Sequence, residues 1–514
     1  MVILKERTRN REGFDMLDFL LEHHLLIFES SWIIALLTLM IATMISLEKR
    51  DPAKTLCWLL VLFLVPVLGI VFYLLFGENL RGKKWSRRRQ TIQEFLDSDE
   101  AMTIFHPETL ETLNKMAEQD IYFEEMDSSI VNLVMRSGTV PITIHNKIDV
   151  YTDGCDKFAQ MMEDIRNAQD HIHLEYFIIK DGNLARPLRE LLIEKAQQGV
   201  EVRILYDDIG SWRLYTNPMF MHGLRAAGVE AKTYVQARFP YLHRKLNYRN
   251  HRKICVIDGK IGYVGGLNIG DEYVHGSKKF GYWRDTHLRI EGPAVYSLQT
   301  VFITDWLTLT DKRLIDARYF PMVDTTKGTS MVQIATSGAD SANQTIYEAY
   351  FYAMAQARET IYIETPYFVP DEAMLTALKT ASLSGVNIKI IFPSIADHFT
   401  VYHASLSYLE QIMSVGAEIY FYDKQPGPSF IHSKVLLVDH EVASVGTANM
   451  DIRSFMINSE INAFIYDNKT VNQLYQMFER DLEDSRRITE AEFQQKGFGK
   501  RMVESFCRLF SPLL

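Results

Sequence analysis

Two histidines, each followed at the same spacing by a lysine, an aspartate, a glycine and an asparagine, are where this chain of 514 residues could do chemistry. The first set is His251, Lys253, Asp258, Gly265 and Asn268; the second is His432, Lys434, Asp439, Gly446 and Asn449. One His-x-Lys-x4-Asp match would be weak. Two copies that share the later Gly and Asn carry far more weight. A third His-x-Lys, at His243, has Asn250, Ile257 and Lys260 in the places of Asp, Gly and Asn and is set aside. Brought together, the two sets supply two imidazoles, two ammonium groups and two carboxamides, which suits a phosphodiester. One imidazole can attack phosphorus to form a phosphohistidine. The other can protonate the departing alkoxide, then take the proton of the incoming alcohol. Lys253, Lys434, Asn268 and Asn449 can donate to the nonbridging oxygens, whose charge must be stabilised through the transition state. The lysines would do what magnesium does elsewhere, so neither a metal nor a cofactor is expected. Symmetry alone does not say which histidine attacks.

These side chains need rigid elements to hold them. Alternate residues of a strand share a side, so His251 with Lys253, and His432 with Lys434, would project together from the runs 254–257 and 435–438. Asp258 has the opposite parity and opens Asp258-Gly259, a turn dipeptide. From spacing, Asp258 and Asp439 read as turn and framework residues more than as acids of the reaction, although they complete the catalytic motif. Gly265 and Gly446 would let backbone approach closely and bring Asn268 and Asn449 beside the His–Lys face. An internal repeat runs through the same region: 171–177 echoes 361–368, 199–206 echoes 385–392, and 228–232 echoes 416–420. A repeat this long is a duplicated domain. Each copy alternates β-branched runs with helical stretches such as 156–168 and 344–358, which predicts α/β layering with helices covering a sheet.

The doubled motif resembles the phospholipase D superfamily, from about residue 138 to 487. That resemblance implies two duplicated phospholipase-D-type α-β-α sandwich domains sharing one active site. It also implies a carboxylate that orients each histidine and stabilises its imidazolium. Asn458-Ser459-Glu460 fits the family's Asn-x-Glu, and Trp283-Arg284-Asp285 occupies the matching place after the first motif. Because the first motif usually supplies the nucleophile in this superfamily, the resemblance implies His251 as nucleophile and His432 as acid/base. Glu175 and Glu364 share repeat positions at strand ends and are candidate supporting residues.

Two apolar runs precede the repeat. Leu25 to Leu47 contains one charged residue, Glu29, and Leu56 to Phe76 contains none. Each is long enough to cross a hydrocarbon core of about 30 Å, which predicts a transmembrane helical hairpin, with Pro66 and Gly69 free to kink its second arm. Basic residues near the start and after the second run (Arg81, Lys83, Lys84, Arg87, Arg88, Arg89) predict that both ends are cytoplasmic. The passage from Arg50-Asp51-Pro52 through Pro66 and Gly69 to Tyr73-Leu74-Leu75-Phe76-Gly77 is similar to the N-terminal region of bacterial cardiolipin synthases. This second resemblance implies a multi-pass cell-membrane enzyme whose partners are phosphatidylglycerol and cardiolipin. It would join two phosphatidylglycerol molecules into cardiolipin and glycerol by reversible phosphatidyl transfer. A hydrolytic phospholipase D, a superfamily nuclease and a catalytically dead scaffold remain alternatives. A net charge of −10 argues against a general nucleic-acid binder, and four scattered cysteines offer neither a zinc site nor a disulfide framework.

The expected domains are therefore a cytoplasmic tail (1–24), the hairpin (25–78), a connector (79–137), two repeats (138–325 and 326–490) and an amphipathic C-terminal segment (491–514). In that last segment Phe498, Met502, Val503, Phe506, Leu509 and Phe510 share one helical face. Such a face either packs on the second repeat or lies in a membrane interface.

Overall fold

The computed structural model describes residues 24–47, 52–73, 128–138, 141–234, 247–310, 312–314, 316–338, 341 and 343–514. The N-terminal tail to residue 23, the basic segment after Phe76, most of the connector and His243 lie outside the described residues. The chain divides into two units, Met1–Glu78 with Leu242–Asn247, and the remainder.

In the first unit the two apolar runs are helical. The first is one helix, His24–Leu47. The second is Pro52–Leu64 followed by Pro66–Phe72. The break falls at Val65, whose φ of −138° leaves the helical region because it precedes a proline. Ile45, Leu62 and Tyr73 pack together, and Trp58 meets Tyr73 edge-on at 5.3 Å. Trp32, Leu36, Leu39, Phe63 and Leu64 face outward. Among the described residues no helix is long and apolar enough to cross a membrane; in the first helix the described side chains are 32, 35–43 and 45–47.

The second unit holds the repeat. Its first copy contributes β1 (Thr143–Tyr151), β2 (His171–Tyr176), β3 (Glu201–Tyr206), β4 (Glu230–Thr233), β5 (Lys253–Ile257), β6 (Ile261–Gly265), β7 (Tyr282–Arg284) and β8 (His287–Glu291). The second contributes β9 (Ser330–Ser337), β10 (Thr360–Glu364), β11 (Phe368–Val369), β12 (Asn387–Pro393), β13 (Glu418–Tyr422), β14 (Ser429–Ile431), β15 (Val435–Val438), β16 (Val442–Gly446), β17 (Met450–Asp451), β18 (Glu460–Ile465) and β19 (Ser485–Ile488). Strands follow the order 1-8-6-5-2-3-4 in one copy and 9-18-16-15-10-12-13 in the other, where β19 adds an edge. Replacing each strand by its counterpart converts one order into the other, so the fold is a duplicated mixed α/β domain. Antiparallel pairing of β1 with β9 joins the halves into one sheet of 15 strands.

Helices cover both faces because each presents one apolar stripe. Ala185–Gln197, for instance, buries Leu188, Leu191, Leu192 and Lys195 along one side. Alternate residues of β5 serve different cores. Cys255 and Ile257 face the first copy's own helices. Ile254 and Val256 join Leu437, Val445 and Ile461 of the second copy, at about 1.5–3 kcal/mol for each large apolar side chain buried. The helix Ser128–Gly138, at the end of the expected connector, places Ile130, Val131 and Val134 in the second copy's core. The C-terminal helix Phe498–Arg508 packs on Phe399–Met413, but it turns Glu504 and Cys507 inward and leaves the face carrying Phe498, Met502 and Phe506 exposed. Of that apolar face Val503 packs against the second copy's core, while Phe498, Met502, Phe506, Leu509 and Phe510 stay exposed.

Candidate active site

Short parallel pairings between the two copies place the motif histidines. Asn250 bridges Ser459, and β14 pairs with β7. The His251 N–H then donates to Ser459 O at 2.9 Å, and the His432 N–H to Arg284 O at 2.7 Å. Both histidines consequently precede their strands: β5 begins at Lys253 and β15 at Val435. The expectation that His and Lys share one strand face is corrected accordingly. Each histidine's backbone is committed to the opposite copy.

The same crossing exchanges the carboxylates. His251 Nδ1 lies 2.9 Å from Glu460 of the second copy, and His432 Nδ1 lies 2.7 Å from Asp285 of the first. Both carboxylates are fully buried. Each fixes its ring with the proton on Nδ1 and leaves Nε2 as the nitrogen for chemistry. The Lys253 Nζ donates to His251 O at 2.7 Å, and Lys434 makes the equivalent bond to His432 O. Burial lowers His251 below its ordinary value; Glu460 opposes this, while Lys253 and Lys434 add to it. Burial pushes His432 down to about 4, with Lys434 and Lys253 also working against the imidazolium. The two motifs therefore sit within electrostatic reach of each other. Burial also lowers Lys253 to about 7 and Lys434 to about 8. Burial alone would raise Glu460, yet facing His251 and Lys253 holds it below the usual carboxylate range. Burial thus disfavours the cationic form of both imidazoles and both lysines, and a bound anion would favour it.

The asparagines lie at the same edge. Asn268 accepts from the Ile178 N–H at 3.1 Å and donates to the Tyr273 hydroxyl at 3.0 Å. Asn449 is buried with its Oδ1 unpartnered among the described residues. The motif aspartates are elsewhere. Asp258 accepts three backbone N–H groups, from Gln169, Asp170 and His171, at 2.8–3.0 Å. Asp439 does the same for Arg358, Glu359 and Thr360 at 2.7–2.8 Å. Both stand at φ near +52° in the turns after β5 and β15, at the far ends of those strands from the lysines. Their grouping with the catalytic residues is corrected: each clips the start of β2 or β10 to a hairpin.

Glu175 and Glu364 are buried behind the histidines. Asn250, next to His251, donates to Glu175 at 2.5 Å. Glu175 neighbours Asp305 and Arg252; burial, then Asp305, pushes it well above the usual carboxylate range. Glu364 is pushed up to about 8 by burial and Asp481, with Arg284 opposing. Arg252 pairs with Asp305 and donates to Glu460 O at 3.2 Å. Arg284 forks onto Asp481 at 2.6–3.0 Å and donates to Asp285 O at 2.6 Å. One guanidinium thus serves two acids behind each dyad and ties it to the residue that holds the ring.

Aromatic side chains flank the two rings. Phe177 meets His251 edge-on at 4.9 Å, and Trp283 lies against His432 at 5.3 Å. The Tyr367 hydroxyl contacts His398 at 3.0 Å. Gly266 gives one clue after the fact: a Cβ there would stand 2.0 Å from Asp285 Oδ1.

A family model described as "Cardiolipin synthase, PLD-like domain" matches residues 161–306 and 350–482, and one described as "Phospholipase_D-nuclease N-terminal" matches 31–78. The chain is 43% identical to the cardiolipin synthase of Geobacillus thermodenitrificans, over 92% of this chain and 91% of that one. It is 44% identical to the major cardiolipin synthase of Bacillus subtilis, over 91% and 95%. Among solved structures, phosphatidylserine synthase from Haemophilus influenzae superposes with a TM-score of 0.57 at 15% identity, covering 75% of this chain and all of that one, which speaks to the fold alone. The chain belongs to the cardiolipin synthase family of the phospholipase D superfamily.

Proposed function

We propose that the crossed His–carboxylate dyads transfer a phosphatidyl group from one phosphatidylglycerol to another. In this reading His251 Nε2 attacks phosphorus, the bond to the headgroup glycerol breaks, and His432 gives that glycerol its proton. The terminal hydroxyl of a second phosphatidylglycerol then loses its proton to His432 as its oxygen attacks the phosphohistidine. The P–N bond breaks and cardiolipin leaves. Lys253 and Lys434 stabilise the nonbridging oxygens, with Asn268 and Asn449 beside them. The diester's negative charge favours the imidazolium that His432 needs. Bonds of one kind are exchanged for bonds of the same kind, so the reaction is reversible. The observation that carries this reading is the exchange of carboxylates: Glu460 on His251 and Asp285 on His432 build one site from both copies.

A second assignment exchanges the histidines. His432 is held at about 4, which keeps its nitrogen free to attack.

The helix His24–Leu47 gives about 36 Å at 1.5 Å per residue and carries only Glu29 as charge. Its outward apolar side chains, with those of the kinked second arm, support a membrane hairpin. The basic flanks support catalytic domains on the cytoplasmic side. A site held at lipid level would favour a lipid alcohol over water by raising its local concentration.

The test is a product assay with the full chain and phosphatidylglycerol. Cardiolipin and glycerol in equal amounts are expected. Phosphatidic acid without cardiolipin would make the protein a hydrolase, and DNA cleavage without lipid turnover would make it a nuclease.

A further inference from the structure

The C-terminal helix Phe498–Arg508 is mounted with its polarity reversed. Toward the protein it turns Glu504, which is 4% exposed and paired with Lys496 at 2.8 Å, together with Cys507. Toward the outside it turns Phe498 (81% exposed), Met502, Phe506 and, just beyond the helix, Leu509 (75%). Positions 498, 502, 506 and 509 form one stripe at helical spacing. Lys500 and Arg501 are exposed beside it.

The mounting is firm and close to the active site. The Arg453 N–H donates to Leu514 O at 2.9 Å, and the Tyr408 hydroxyl meets Ser511 Oγ at 3.1 Å. Arg453 opens onto the segment that leads to Glu460: the Asn458 N–H donates to Arg453 O at 3.0 Å. Phe399, 62% exposed, begins the helix on which the C-terminal helix packs, just after β12. The end of β12 lies at the active-site edge, because Ile391 pairs with Glu364 and Glu364 with Val435. The first copy repeats the arrangement. Tyr206, at the end of β3, is in register with Tyr176 and through it with Lys253. The segment that follows exposes Ile209, Trp212, Tyr215 and Met219. Both copies thus carry apolar and aromatic side chains outward from the strand ends that flank the histidines.

We infer that this rim, led by the outward face of Phe498–Arg508, docks on the surface of an anionic phospholipid bilayer and holds the active-site mouth against it. The occupant is chosen on three grounds. Large apolar side chains edged by cations are the pattern of a helix lying in a lipid interface. The rim is continuous with the site. Finally, the inference rests on the phosphatidylglycerol reading, under which both substrates reside in such a surface. A bilayer can take up both patches without matching the sequence of either. A second copy of the chain would have to match two patches of different sequence.

The experiment uses the full chain in nanodiscs of phosphatidylglycerol. Cys57 and Cys155, the exposed thiols, are changed to Ser, and a spin label is placed by Phe506→Cys. The label is expected to be accessible to oxygen and shielded from a water-soluble relaxation agent. A label that remains water-exposed while the protein makes cardiolipin would overturn the docking. So would a label shielded without lipid in proportion to protein concentration, which would mark self-association. In parallel, Phe506→Ser with Leu509→Ser should lower transfer in bilayers at least 10-fold and leave transfer between dispersed short-chain phosphatidylglycerol molecules unchanged. Equal loss on both substrates, or on neither, would also overturn it. If the parent protein turns over neither substrate, the phosphatidyl-transfer reading falls, and the label still reports whether the rim meets lipid.

Discussion

Glu460 reaches across 209 residues of sequence to hold the ring of His251 at 2.9 Å. Charge, more than the hydrogen bond alone, is what this carboxylate contributes once His251 carries a positive charge or a phosphoryl group. Glu460→Gln should fold normally and lose about 10²- to 10⁴-fold in kcat, as should Asp285→Asn. Trapping with labelled phosphatidylglycerol assigns the histidines. His251→Ala should give no labelled protein, and His432→Ala should retain label it cannot discharge. The reverse pattern would establish the exchanged assignment.

Lys253 is a functional burden on stability. Its pKa falls from the ordinary lysine value to about 7 on folding, chiefly through burial. Between about pH 7 and 10 the unfolded chain binds more protons there than the folded one, so this site's contribution to stability rises with pH. Lys253→Met should abolish transfer yet raise the thermal midpoint by about 1–4 °C near pH 7, and the gain should shrink toward pH 10. Scanning calorimetry at the two pH values checks both the sign and the trend.

Gly266 is needed for room. Alanine there would press on Asp285 Oδ1. Gly266→Ala should displace Asp285 from His432, costing about 1–3 kcal/mol in stability and about 10²-fold in kcat. Its counterpart Thr447→Ala adds no bulk and should be far milder in kcat, as steady-state kinetics on both variants would show.

Asp258 and Asp439 should prove structural. Asp258→Ala strands three backbone N–H groups and should cost about 1–3 kcal/mol in denaturant unfolding, with kcat per folded molecule unchanged. A kcat loss matching that of Glu460→Gln would return Asp258 to the reacting centre.

The duplication, the layer architecture and the His, Lys and Asn members of the site were legible because residue type and spacing recur between copies. The parity of Asp258, with its turn glycine, already pointed away from the lysine. Crossing was not legible. Nothing in the spacing of Asp285 and Glu460 says that each serves the histidine of the other copy, since that depends on β14 pairing with β7 and Asn250 bridging Ser459. Arg284 and Asp481 lie 197 residues apart, and no local pattern joins them. Periodicity in 498–510 identified a face but not its direction, because burial is decided by neighbours, and Glu504 finds one in Lys496.

Because each half holds the other's histidine, the proposed reaction needs both halves. Under the proposed chemistry the chain is a dimer written on one ribbon, and a lesion at Glu460 or Asp285 is expected to silence the ring housed in the other copy. Two chains damaged in opposite halves could not rescue one another by standing side by side. They would have to exchange whole halves.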